Sequence, residues 1–254
     1  MVRYAFSDLH GNYKLWEMIK AATQPDDILY CLGDNIDRGP DGFKICAEQA
    51  EMKNIFVLQG NHEAMAAAAI PDLYNGRQTY AVNLWFQNGG DRTWDSIKQL
   101  PPHIIEHFAN WCGSLDSTMA IMNDRNQVIY LDHAGFTLGQ ENLAEPLWDR
   151  SHFWDNWPSD EEYKSNANWD KASNTYLIHG HTPVQYLVRQ LAVVDRTFAN
   201  TVNKSWEIKG NIIKPKIIEY CNGHKFDIDL GSVLSNRTGL FNLDTFEVKY
   251  FDSD

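Results

Sequence analysis

ILYCLGDNIDRGPDG, residues 28–42, decides the fold. Its first five residues are apolar and read as a strand buried on both faces. Asp34, Asp37 and Arg38 follow at once, bracketed by Gly33, Gly39 and Pro40. A buried strand that ends in two carboxylates and a guanidinium delivers charge to its carboxyl end, where open α/β sheets gather their ligands.

The same pattern recurs on both sides. VRYAF at 2–6 reads as a strand, and 12–22 as a helix with Leu15, Met18, Ile19 and Ala22 at helical spacing. A second helix is expected over 42–52 and a third strand over 55–58, giving β-α-β-α-β and therefore parallel strands with helical crossovers. Residues 64–116 read as helical pieces divided by Pro71, Gly89-Gly90, Pro101 and Pro102. From Met119 two strands surround an Asn-Asp-Arg-Asn turn, and 141–174 reads as a loop-dominated, Trp-rich segment. Further strands are expected at 175–178, around 184–194, at 212–220 and 226–230, and in a hairpin over 239–251. No repeat, low-complexity tract or linker interrupts the pattern, so one domain over 1–254 is expected.

With 43% hydrophobic residues among 254, the chain has material for a substantial core. A formal charge of −12 excludes a general nucleic-acid or acidic-membrane surface, because such binding depends on basic groups releasing counterions from phosphates. The cysteines at 31, 46, 112 and 221 form no zinc spacing and no C-x5-R phosphate loop, and read as reduced thiols. A polar motif begins at Ser7, before a signal peptide could fit, and no stretch is long and apolar enough to span a bilayer. A cytoplasmic location is expected.

Five motifs combine metal-ligating side chains with glycine: Asp8-x-His10-Gly11, Gly33-Asp34-x-x-Asp37-Arg38-Gly39, Gly60-Asn61-His62-Glu63, His133-Ala134-Gly135 and His179-Gly180-His181-Thr182. Each alone reads as ordinary turn or cap chemistry. Five together, each after an apolar strand-like run, read as a metal or catalytic site. Strict alternation in an extended segment would put Asp8 and His10 on one side, with Leu9 in the core. His179 is expected to point away from His181 and to hydrogen-bond near the site. Glu63 reads as a turn-stabilising neighbour of the ligands.

The set resembles the phosphoprotein phosphatase family of calcineurin-like binuclear metallophosphatases, in its compact bacterial and phage branch. The resemblance runs from Asp8 to Ile228-Asp229-Leu230-Gly231 and the final hairpin, and includes Trp85-x-x-Asn88-Gly89-Gly90 and Leu147-Trp148-Asp149-Arg150 as substrate-side segments. It implies an α/β fold, a central β-sandwich of two mixed sheets flanked by helices. It implies two divalent ions, Mn²⁺ first with Fe or Zn²⁺ as alternatives, with Asp8 and His10 on one, Asn61, His133 and His181 on the other, and Asp34 bridging both. A hydroxide between the ions would attack phosphorus in line. His62 would protonate the leaving group, Asp37 would hold its imidazole, and Arg38 and Arg150 would grip phosphate oxygens.

The implied activity is hydrolysis of phosphoserine and phosphothreonine in proteins, with phosphotyrosine and small esters as further substrates. A dinucleoside-polyphosphate or cyclic-nucleotide hydrolase on the same ions is the alternative, although diadenosine tetraphosphatase relatives usually carry glutamine where this chain has His10. A non-catalytic scaffold is disfavoured because every ligand and the acid histidine are present. Arg150 also reads as a surface partner of Asp149, and Asn88 as a loop former. Asp227-Ile228-Asp229 imitates an aspartyl-phosphate motif but reads as a strand end. Histidines 103, 107, 152 and 224 read as structural or exposed. Residues 195–226 read as an added hairpin edging the site, and the Trp-rich 148–170 stretch as shaping substrate choice.

Overall fold

The first sixty residues realise the alternation as β1 (Arg3–Phe6), α1 (Tyr13–Ala22), β2 (Ile28–Cys31), α2 (Gly42–Glu51) and β3 (Ile55–Val57). The computed structural model describes residues 1–136, 147–150, 174–191, 206–209, 212–220 and 223–253. Asn12 starts α1 by accepting the Leu15 N–H at 3.2 Å, and Leu15, Trp16 and Ile19 form its buried stripe. Four helices follow: α3 (Asn61–Tyr74), α4 (Tyr80–Gln87), α5 (Gly90–Ile97) and α6 (Pro102–Ser114). They share their own core, built around Ile70, Val82, Trp85, Ile97 and Phe108.

The remaining elements are β4 (Thr118–Met122), β5 (Val128–Asp132), β6 (Thr175–His179), α7 (Val184–Leu191), β7 (Trp206–Lys209), β8 (Ile212–Pro215), β9 (Ile218–Tyr220), β10 (Lys225–Asp227), α8 (Ser232–Ser235), β11 (Arg237–Asn242) and β12 (Val248–Asp252). They complete two mixed five-stranded sheets, β12-β11-β1-β2-β3 and β4-β5-β6-β10-β9. Ala5, Tyr30 and Phe241 of the first sheet pack against Ile129, Leu131, Ile178 and Phe226 of the second, which makes the expected sandwich. The outer face of the first sheet, through Phe6, Leu29 and Cys31, is covered by α1 and α2.

Pairing places the site. β1, β2 and β3 run parallel in one sheet, and β5, β6 and β10 run parallel in the other. Every one of the five motifs follows the carboxyl end of one of these strands, and Asp229 follows the sixth.

Three expectations change. The strand expected around 184–194 is helix α7 where it is described: Val184, Leu187, Val188 and Leu191 recur at helical spacing, and this outweighs the β-preference of the valines. The 212–220 run is two strands in different sheets, broken at Lys216-Ile217. The strand expected over 226–230 runs instead from Lys225 to Asp227, with the Ile228 N–H making one further bond to His179 O at 2.8 Å. The hairpin expected within 195–226 exists as β7-β8, tied to the C-terminal hairpin by Arg237–Glu207 at 2.8 Å and Lys214–Asp252 at 3.0 Å. Residues 141–146 and 151–173 of the Trp-rich segment, with His152, lie outside the described residues. Among the described residues, no helix is long and apolar enough to cross a membrane.

Candidate metal centre

The segments after β1 and β2 continue the ladder as a zipper: Asp8 N–H donates to Gly33 O, His10 N–H to Asp34 O and Gly11 N–H to Asn35 O, at 3.1, 2.9 and 2.7 Å. Asp8 and His10 do not reach one centre by strand alternation. Both are left-handed, with φ of 55° and 44°, and so are Asp34, Asp37, Arg38 and His181. Left-handed backbone costs an L-residue about 1–2 kcal/mol, so a tightly bonded surround must hold it. Gly33 and Gly60 supply part of that surround by touching: a Cβ on Gly33 would lie 2.5 Å from Gly60 N. Leu9 points into the core as expected.

Asp34 stands between two groups of ligands. Its Oδ2 is 3.8 Å from both His10 Nε2 and His62 Nε2, and its Oδ1 is 3.5 Å from His133 Nε2. On the second side Asn61 Oδ1 meets His133 Nε2 at 3.0 Å and His181 Nδ1 at 2.9 Å. On the first side Asp8 Oδ1 lies 4.0 Å from His10 Nε2.

Two observations test whether cations fit. Asp8 Oδ1 is buried without a hydrogen-bond partner. His133 donates its Nδ1 proton to Leu32 O at 2.7 Å, so its Nε2 turns a lone pair on the Asn61 oxygen. Facing lone pairs and an orphaned carboxylate oxygen suit a cation, and the donors are oxygen and nitrogen without thiolate.

The electrostatics agree. Burial, with Asp229 beside it, lifts the Asp8 carboxyl to about 7, and burial with Asp8 and Glu63 lifts Asp34 well above its ordinary value. Burial and neighbouring cations hold His10 and His181 neutral, the form that ligates metal.

His62, in the first turn of α3, bonds Asp37 Oδ2 through Nδ1 at 2.6 Å. Asp37 is also held by Trp85 Nε1 at 2.8 Å and by Thr93 Oγ1 at 2.7 Å. Burial raises the Asp37 carboxyl to about 7 against the lowering by these two donors. Arg38 donates to His10 Nε2 at 2.7 Å and His62 Nε2 at 2.9 Å, which fixes both rings as Nδ1–H tautomers. Arg150 stands exposed at the rim with Nε on Thr182 Oγ1 at 3.2 Å. Both arginines line one cavity of about 470 Å³ with His10, His181 and Asp229.

The Trp85-to-Gly90 segment packs against the turn that carries Asp37 and Arg38. Trp85 is fully buried, Asn88 bonds Leu84 O at 2.8 Å, and Gly89 O accepts the Arg38 N–H at 3.1 Å. This segment grips the Asp37-Arg38 turn, and a Cβ on Gly90 would strike the Trp85 ring at 2.4 Å. Glu63 plays the expected part, accepting the N–H groups of Asp34, Asn35 and Gly60 at 2.8, 2.9 and 3.0 Å. His179 turns away to Tyr220 Oη at 2.7 Å. Sequence reading named Trp85 without its bond to Asp37, missed Thr93 and Ser7, whose hydroxyl donates to Asp8 Oδ2, and set Asp229 aside although it lines the cavity. Only the D-x-D repeat after β10 could have signalled Asp229.

The family model of calcineurin-like phosphoesterases matches residues 1–224. This chain belongs to the calcineurin-like phosphoesterase family. It is therefore a metallophosphoesterase, of a family that uses divalent metals. It is 26% identical over 208 residues to serine/threonine-protein phosphatase 2 of Escherichia coli, covering 78% of this chain and 84% of that one. It is 25% identical over 152 residues to a symmetrical bis(5'-nucleosyl)-tetraphosphatase of Buchnera aphidicola, covering 58% of this phosphoesterase and 46% of the relative. The cold-active protein-tyrosine phosphatase of a psychrophilic Shewanella superposes with a TM-score of 0.57 at 13% identity, over 98% of this chain and 76% of that one, a likeness of fold alone.

Proposed function

We propose that this phosphoesterase is a metal-dependent phosphomonoester hydrolase acting on phosphoserine and phosphothreonine in cytoplasmic proteins. The observation that carries the reading is the gathering of His10, His133 and His181 around the two oxygens of Asp34, with Asp8 beside His10, Asn61 between His133 and His181, and Arg38 and Arg150 in one cavity with them. The buried free thiols of Cys31, Cys46 and Cys112 fit a reducing compartment.

Asp8 and His10 would hold one ion, Asn61, His133 and His181 the other, and Asp34 both. Divalent ions, Mn²⁺ foremost, supply water activation and charge neutralisation. Arg38 and Arg150 orient the phosphoryl group through planar N–H pairs, which lysine does not reproduce. His62, its Nδ1–H held on Asp37, would pass a proton from Nε2 to the leaving oxygen once that nitrogen has taken one up and Arg38 has turned from it to the phosphate.

The purified chain with Mn²⁺ should hydrolyse phosphopeptides faster than diadenosine tetraphosphate or 2′,3′-cyclic nucleotides. The tetraphosphatase relative makes the opposite ranking the specific competitor, and that ranking would replace this reading. His62→Asn should lower kcat by about 10²–10⁴-fold with metal content unchanged; full turnover would remove the proton-donor assignment.

A further inference from the structure

The cavity lined by Arg38 and Arg150 also has an apolar wall. Tyr186 of α7 and Val233 and Leu234 of α8 line it, although they are 49%, 46% and 60% exposed. Large apolar side chains kept in water beside a reaction centre mark a binding surface more often than a packing accident.

These side chains sit on rigid supports. Gly231 and Asn236 close α8 in left-handed conformations, and a Cβ on Gly231 would lie 2.9 Å from the Gln185 amide. Ser232 is buried and donates its hydroxyl to the carbonyl of Asp8. Ser235 Oγ donates to Leu230 O at 2.8 Å, and Gln185 Nε2 to the same carbonyl at 2.7 Å. Val184 N–H, at the start of α7, donates to Asp229 O at 3.0 Å. The apolar wall is thus fixed to the strand ends that carry Asp8 and Asp229.

Charge separates the candidate occupants. Among the described residues lining the cavity, the permanently cationic side chains are Arg38 and Arg150, and Asp229 adds a carboxylate. Phosphates beyond the first would meet Asp229, Val233 and Leu234 instead of cations. One phosphoryl group with an apolar neighbour satisfies both walls.

We infer that Tyr186, Val233 and Leu234 form a subsite for an apolar residue flanking the phosphorylated residue of a polypeptide substrate. This rests on the phosphomonoesterase reading and narrows its substrate class.

The test is a series of phosphoserine peptides differing only in the flanking residue, Leu or Phe against Ser or Asp, assayed with Mn²⁺ beside diadenosine tetraphosphate. Apolar-flanked peptides should exceed serine-flanked ones in kcat/KM by about tenfold, the discrimination a small hydrophobic pocket provides. Tyr186→Ser with Leu234→Ser should bring that ratio close to one, while Tyr186→Phe with Leu234→Met should keep it. A flat series, or an unchanged ratio in the serine variant, overturns the subsite and leaves the phosphatase reading standing. Preference for diadenosine tetraphosphate over every peptide overturns both. No hydrolysis of any phosphoester overturns the phosphatase reading and this subsite with it.

Discussion

At the scale of single residues, the site depends on donors that hold its acids and bases still. Trp85 gives its only N–H to Asp37, a buried carboxylate that also steers His62. Trp85→Phe should cost about 1–3 kcal/mol from the lost donor, read by urea denaturation, and should also lower kcat. An unchanged kcat would show that Thr93 and His62 suffice to place Asp37. Gly180 is a second such point, because a Cβ there would lie 2.1 Å from Ser7 Oγ and 2.2 Å from Asp8 Oδ2. Gly180→Ala should weaken Mn²⁺ binding in a calorimetric titration, and unaltered affinity would mean that Ser7 and Asp8 can move aside. The proposed ligand residues were legible because five such motifs recur together after apolar runs, although each alone reads as turn or cap chemistry. Their left-handed backbone was not, since nothing in an Asp or His announces positive φ as a glycine does. Asn35, silent in the sequence, accepts the Gln49 amide at 3.0 Å and the Cys31 thiol at 3.2 Å, contacts no local pattern encodes.

At the scale of elements, α1 and α2 were readable from apolar spacing, but the bond between them was not. Glu48 of α2 accepts from Tyr13, Trp16 and Lys20 of α1. Burial alone would raise its carboxyl, and these three donors instead take it down to about 2 from an ordinary 4.5. A lowered carboxyl stabilises the fold above its unfolded value and loses that contribution as pH falls through the folded one. The stability deficit of Glu48→Gln should therefore be largest near neutrality and close between pH 4.5 and 2, followed by thermal melts. The side chain is one-third exposed, so the deficit is reduced by solvent and should shrink in high salt. α7 was misread because valine and leucine suit strand and helix alike, and only burial of Val184 and Leu187 on one face separates them. The Trp85-to-Gly90 run was noticed without its partner, since the turn it grips lies about fifty residues upstream in sequence.

At the scale of the whole molecule, the sandwich was foreseeable from strand alternation and the family likeness, whereas the order of strands from residue 175 onward depends on pairing that local pattern does not encode. Buried Asp8, Asp34 and Asp229 crowd together, each carboxyl lifted by burial and by another of the three. Cations that bind only the folded chain add stability in proportion to the logarithm of their concentration over Kd. Chelation should therefore lower Tm, and excess Mn²⁺ should restore it by several degrees in calorimetry; a Tm indifferent to both would argue that the cluster binds no ion. The division of the site between sheets has one more consequence. Cutting the chain between α6 and β4 would leave Asp8, His10, Asp34, Asn61 and His62 on one fragment, and His133, Arg150 and His181 on the other. β11 of the second fragment must still pair with β1 of the first. Neither piece could turn over substrate alone, so two such fragments fused to other proteins would report their meeting as regained hydrolysis.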